Sequence, residues 1–219
     1  MKTAWINLSP RKAGTSAMLA EMTGRMLSHP GTIYHYPDLL RADDDEREEW
    51  LSGYDVLVFS GPCYIMTYPA DALLVFDLLK RHTCMAGKKI YGIIQGGMPT
   101  VHTHEHGLES LKLFAGQCNA QYMGGFVMGL GAMLDGRSPE HLPNGKKVIT
   151  QLEIFAACVE KGIYADPKIY EAAEIKIPAP VLKAMAFSMN RSMIRDMKRR
   201  GIDYKAESPY RSIYHEDQR

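Results

Sequence analysis

No apolar run in this 219-residue sequence approaches the roughly 20 residues that span a bilayer. Met1-Lys2 leads almost at once into a short strand-like run, not into a secretory leader, so a soluble cytoplasmic protein with no membrane partner is expected. Charge of one sign is also lacking: 26 Lys and Arg stand against 25 Asp and Glu, a formal net charge of +1. That balance argues against the broad basic footprint of a nucleic-acid binder and makes small molecules the expected ligands. Cysteine is sparse. Cys63, Cys84, Cys118 and Cys158 form neither a CxxC nor a Cys/His pair of metal-ligand spacing, which argues against structural zinc and iron–sulfur ligation. With no secretory signal they read as reduced, mostly buried thiols. Neither G-x-G-x-x-G nor the G-x-x-x-x-G-K-[ST] phosphate loop occurs.

What is present is an alternation of strand and helix patterns. Thr3 to Leu8 is a mainly apolar run stopped by Ser-Pro, and Ala17, Met18, Leu19, Met22, Met26 and Leu27 then recur at helical spacing up to His29-Pro30-Gly31. A second strand is predicted from Thr32 to Tyr36, ending at Pro37. The acidic run Asp43 to Glu46 lies at the start of a helix reaching Trp50, where carboxylates complement the dipole. Tyr54 to Ser60 is nearly continuous in apolar residues, as in a parallel strand covered on both faces. A helix over Ala70 to Arg81, a strand over Lys89 to Gln95, a helix capped by Thr103 and a fifth strand over Ala120 to Met128 complete five units. The fold class expected is therefore α/β, a flavodoxin-like doubly wound sheet of five parallel strands in the order 2-1-3-4-5. Residues 1–165 form that domain. Residues 166–219 form a C-terminal extension whose amphipathic helix carries Leu182, Met185, Met189, Met193 and Met197 as a stripe. The stripe is a packing face, and a second subunit is a plausible surface for it, so a homodimer is expected.

Ligands of such sheets bind beyond the carboxyl ends of the strands, where the strand order reverses. Three Gly- or Pro-bearing loops meet that rule: Ser9 to Ser16 after strand 1, Gly61 to Met66 after strand 3, and Gln95 to Pro99 after strand 4. The first reads as a phosphate cradle. Ser9, Thr15 and Ser16 supply hydroxyls, Arg11 and Lys12 positive charge, Gly14 a tight backbone, and the following helix its free N–H groups. The same residue types also serve as an ordinary cap and turn. Gly124 to Gly136 is glycine-rich and reads as a cover.

The three loops together resemble the flavodoxin-like NADPH-dependent FMN reductase and NAD(P)H:quinone oxidoreductase family. Ser9-Pro10-Arg11-Lys12-Ala13-Gly14-Thr15-Ser16 is similar to its phosphate loop. Gly61-Pro62-Cys63-Tyr64 with Pro69 and Asp77, and Gly87-Lys88-Lys89 with Gly96-Gly97, resemble two further segments in the same order and spacing. The resemblance implies FMN as cofactor. Its phosphate would be held by Ser9, Arg11, Gly14, Thr15 and Ser16, and its ring would lie between Pro62, Cys63, Tyr64 and Ile65 on one side and Gln95, Gly96 and Gly97 on the other. It also implies NADPH or NADH as electron donor and a quinone, flavin or other small-molecule electron acceptor, with no catalytic acid or base from the protein. Two positions depart from the family's pattern. Leu8 stands where a glycine precedes Ser-Pro-Arg, and Leu73 where a lysine is common.

Other readings remain open at this stage. A flavodoxin-type electron carrier and a flavin-free interaction module share the same pattern of elements. Cys63 is either a redox thiol or a packing residue, and the latter is the expectation. His102, His104 and His106 are spaced by two, but a helical turn from Thr103 would disperse them, so histidines on the surface or in a pocket are expected and not a metal site.

Overall fold

The computed structural model describes residues 1–203 and 205–206. It separates into two units, Met1–Ile175 and Lys176–Arg219. The first runs β1 (Thr3–Asn7), α1 (Thr15–Arg25), β2 (Thr32–His35), α2 (Tyr36–Arg41), α3 (Asp44–Ser52), β3 (Val56–Pro62), α4 (Ala70–Leu79), β4 (Lys89–Gln95), α5 (His106–Gln117), β5 (Gln121–Met128), α6 (Gly145–Lys161) and α7 (Lys168–Glu171). All pairings in the sheet are parallel and the order is β2-β1-β3-β4-β5, as expected of the flavodoxin-like layout. Every residue of β1 and β3 is buried, which is why their sequences read as apolar runs without alternation.

Parallel register places side chains from neighbouring strands on common faces. On one face Trp5, Val58 and Tyr91 stand side by side, with Gly24 of α1 so close to the Trp5 indole that a Cβ there would sit 3.2 Å from its nitrogen. Phe155 of α6 meets Tyr91 and Phe126, each with ring centroids 6.0 Å apart, on that same side. The other face carries Phe59, Gly92 and Gly125 in register. A Cβ on Gly92 or Gly125 would lie within 2.7 Å of the Leu108 side chain, so this glycine pair lets α5 settle close to the sheet. Phe59, Phe76 and Phe114 then fill the space between β3, α4 and α5, Phe76 and Phe114 stacking at 4.6 Å.

Three local expectations need correction. Pro37 does not merely end the second strand but occupies the first turn of α2, where its fixed φ and missing N–H fit, so Tyr36 is helical. Thr103 is not the cap of α5. It lies in a short 3-10 turn, its hydroxyl donating to the Thr100 carbonyl at 2.7 Å, and α5 begins only at His106. The first unit also reaches past 165 to Ile175, because Tyr170 of α7 is buried with its hydroxyl donating to Glu105 at 3.2 Å, and Asn144 bonds the Ala173 carbonyl. The acidic run, by contrast, starts α3 as expected, with Asp43 and Glu46 forming a reciprocal capping box. Trp50 of that helix contacts Tyr34 edge-on at 4.8 Å.

The second unit contains α8 (Ala179–Arg199), the amphipathic helix expected there. Leu182, Met185, Met189 and Met193 are exposed along it. Tyr204 and residues 207–219 of the expected extension lie outside the described residues.

Candidate functional site

The loop after β1 is organised by the last residue of that strand. The Asn7 side-chain oxygen accepts from the Ser9 N–H at 3.0 Å, while its amide donates to the carbonyls of Arg11 at 3.2 Å and Lys12 at 3.3 Å. The Ser9 hydroxyl accepts from the Arg11 N–H at 3.2 Å, and His35 at the end of β2 meets the Ser9 carbonyl at 2.8 Å. The chain thus curls in front of α1 and enters it through Gly14, which offers no side-chain cap. The N–H groups of Thr15, Ser16 and Ala17 open the helix without intrahelical carbonyls, and together with the dipole they favour an anion.

The loops after β3 and β4 lie beside this cradle. The Cys63 N–H donates to the Gln95 carbonyl at 2.7 Å, so the two loops leave the sheet joined. Tyr64 and Thr67 exchange backbone bonds of 2.7 and 3.3 Å around a tight turn whose central residues, Ile65 and Met66, have φ of 50° and 68°. The Gln95 amide donates to the Ser16 hydroxyl at 3.4 Å, tying the third loop to the first. Its side-chain oxygen is buried and has no partner among the described residues. Gly96 lies against His104, with a Cβ there falling 2.2 Å from the imidazole ring, so a side chain at this position would displace the ring.

A fourth segment closes the arrangement. Residues 129–137 leave β5 and pass over the cradle, with Leu130 N–H bonded to Met98 O at 3.0 Å and Gly131 N–H to Gly96 O at 2.8 Å. The Thr15 hydroxyl donates to Gly131 O at 2.9 Å and accepts from the Gly136 N–H at 3.2 Å. Asp135 pairs with Arg11. The result is a cleft of about 240 Å³ at the carboxyl ends of β1, β3 and β4, lined by Ser9, Arg11, Gly14, Thr15, Pro62, Cys63, Tyr64, Gln95, Gly96, Gly97, Ala132 and Asp135.

Ten of the twelve residues singled out from sequence line this cleft. Ser16 and Ile65 do not. Ser16 is buried beneath it, its hydroxyl turned to Gln95 and its carbonyl accepting from Ser60 at 2.7 Å, while Ile65 stands out into solvent at 97% exposure. Ala132 and Asp135 are the additions, and the only sign of them in the sequence is the glycine-rich stretch around them. Leu8 does not enter the cleft: it is fully buried against Gly61 in the core, its N–H extending the ladder to Ser60 O at 2.8 Å. Leu73 lies on α4, partly exposed. Burial pushes the Cys63 thiol above its ordinary range, the opposite of what activates a redox thiol. Of the three histidines, His104 is buried under Gly96 with its Nε2 3.1 Å from Met98 O, whereas His102 and His106 are exposed.

No family model matches the chain, and no curated protein sequence matches it. Solved structures do. An NADH:FMN oxidoreductase in its apo form is 20% identical, covering 83% of this chain and 98% of that one at a TM-score of 0.57. General stress protein 14 from Treponema denticola, in complex with FMN, is 15% identical, covering 73% and 99% at 0.55. Oxidised flavodoxin 1 from Bacillus cereus is 14% identical, covering 74% and 99% at 0.54. At such identities the likeness is one of fold, and the fold is flavodoxin-like.

Proposed function

We propose that this chain is an FMN-dependent oxidoreductase that takes electrons from NADH or NADPH and passes them to a quinone, a free flavin or another small acceptor. The observation that carries the reading is the meeting of the Ser9–Ser16 cradle with the loops after β3 and β4 in one cleft, at the reversal of strand order. The residues present suit the cofactor. The uncapped start of α1, the Ser9 hydroxyl and Arg11 are donors for a phosphate. Bare backbone at Gly97, which lines the cleft, allows close approach of a flat ring. Two of the similar folds named above are described with FMN, which adds support.

When bound, FMN supplies the redox chemistry, accepting hydride and delivering electrons. The protein's part is to hold and orient. Tyr64 lines the cleft, and Ile65, Met66 and Met98 on the loops after β3 and β4 are exposed, so these loops offer apolar surface on which a nicotinamide or a quinone could stack. The test is direct. Mixed with FMN, the purified protein should turn yellow and tight-binding, and NADH or NADPH should bleach the flavin band rapidly in a stopped-flow mixer. Bound flavin that neither nicotinamide reduces would replace the enzyme with an electron carrier, and failure to take FMN at all would reject both.

Self-association through α8 belongs to the same proposal, supported by its exposed methionine stripe. Met189→Glu with Met193→Glu should lower the sedimentation coefficient to that of a monomer. An unchanged coefficient would remove the homodimer, or its dependence on this helix.

A further inference from the structure

The strap of residues 129–137 occupies groups that the cradle would otherwise offer to a ligand. It is held through its own backbone groups: Gly131 N–H donates to the Gly96 carbonyl, the Gly131 carbonyl and the Gly136 N–H meet the Thr15 hydroxyl, and a Cβ on Gly136 would lie 3.4 Å from the Gly14 Cα. Asp135 sits in this held stretch at φ 48°, beside Gly136 at φ 85°, and from there its carboxylate pairs with Arg11. The two side chains are 67% and 69% exposed. A phosphate and a carboxylate make the same demand on a guanidinium, two anionic oxygens facing its fork. Asp135 engages Arg11 through Nη1, so a phosphate drawing on that donor must compete with the carboxylate.

We propose that Asp135 is a specificity-determining residue of the cleft, competing with the flavin phosphate for Arg11 and so narrowing the preference for phosphorylated over unphosphorylated flavin. The proposal deepens the FMN reading and rests on it. An exposed ion pair is weak, whereas a phosphate also collects the first N–H groups of α1, so the phosphate wins Arg11 at reduced affinity. Thr15 adds to the effect, since its hydroxyl proton is already directed to Gly131 O.

Dissociation constants for FMN and riboflavin, measured by flavin fluorescence on wild type, Asp135→Asn, Arg11→Met and the double variant, test this. Both side chains are mostly exposed and Asn tolerates the left-handed backbone, so the variants should fold. In Asp135→Asn the ratio of riboflavin to FMN constants should rise about fivefold, the factor an exposed pair represents at the upper end of its range. In the Arg11→Met background the same change should give less than about a twofold rise, because the contested group is gone. An unchanged or lowered ratio in Asp135→Asn would overturn the proposal, as would a rise that persists undiminished without Arg11, which would mean simple repulsion. Inorganic phosphate, followed by ³¹P line broadening, separates this from the flavin reading. Phosphate held more tightly by Asp135→Asn in a chain that takes neither flavin would keep Asp135's role and discard FMN. Flavin binding with an unaltered ratio would do the reverse.

Discussion

At one end of the cleft the Ser9–Ser16 loop is held from several directions, by Asn7 beneath it, His35 from β2, Ser60 from β3 and the strap over Thr15. At the other end the Tyr64–Thr67 turn is held by its own two backbone bonds, a backbone bond from Met66 to the Cys63 thiol and a contact between the Thr67 and Ser110 hydroxyls, and it exposes Tyr64, Ile65 and Met66. The first end is polar and fixed before any ligand arrives, which lowers the ordering cost of recognising a charged group. The second is apolar, and its two central residues sit in left-handed backbone that side chains disfavour, Ile most of all. Under the proposed function, binding strength and reactive access would fall to different loops.

The contrast can be broken from the held end first. Asn7→Ala leaves the buried Ser9 N–H and two loop carbonyls without partners, and should cost about 3 kcal/mol of stability, the upper end for an unsatisfied buried group. Denaturant midpoints at unchanged m-value measure it, and a loss below about 0.5 kcal/mol would mean that the loop is not held by this side chain. Gly96→Ala drives a methyl into the buried His104 ring and should cost about 2 kcal/mol while weakening flavin binding. Retained stability would show that His104 yields freely. The exposed turn should respond with the opposite sign. Ile65→Asn with Met66→Gly installs residues that adopt positive φ readily, and should stabilise the fold by about 1 kcal/mol. A lowered melting temperature would place the strain elsewhere.

Much of this was legible in the sequence for one physical reason: a parallel strand buried on both faces needs apolar residues throughout, and Val56 to Phe59 or Ile90 to Ile94 leave little else to read. The cradle was legible through residue types that phosphate chemistry demands. The strap was not. Asp135 reaches Arg11 because backbone bonds at Gly131 and Gly136 hold the loop there, and such bonds leave no periodicity. α2 was missed because Pro37 ends a strand and opens a helix with the same fixed φ, and α7 because four residues are too few to show a period. Helix α8 showed its stripe plainly, yet a period says that a face is apolar, not what covers it.

The two tryptophans turn this architecture into an optical instrument. Trp5 is wholly buried in β1, two positions before the asparagine that anchors the cradle, while Trp50 stands among tyrosines on α3. With Trp50 replaced by phenylalanine, the remaining indole emits from the root of the cleft alone, where energy transfer to any yellow ligand above it would dim the emission without an added dye.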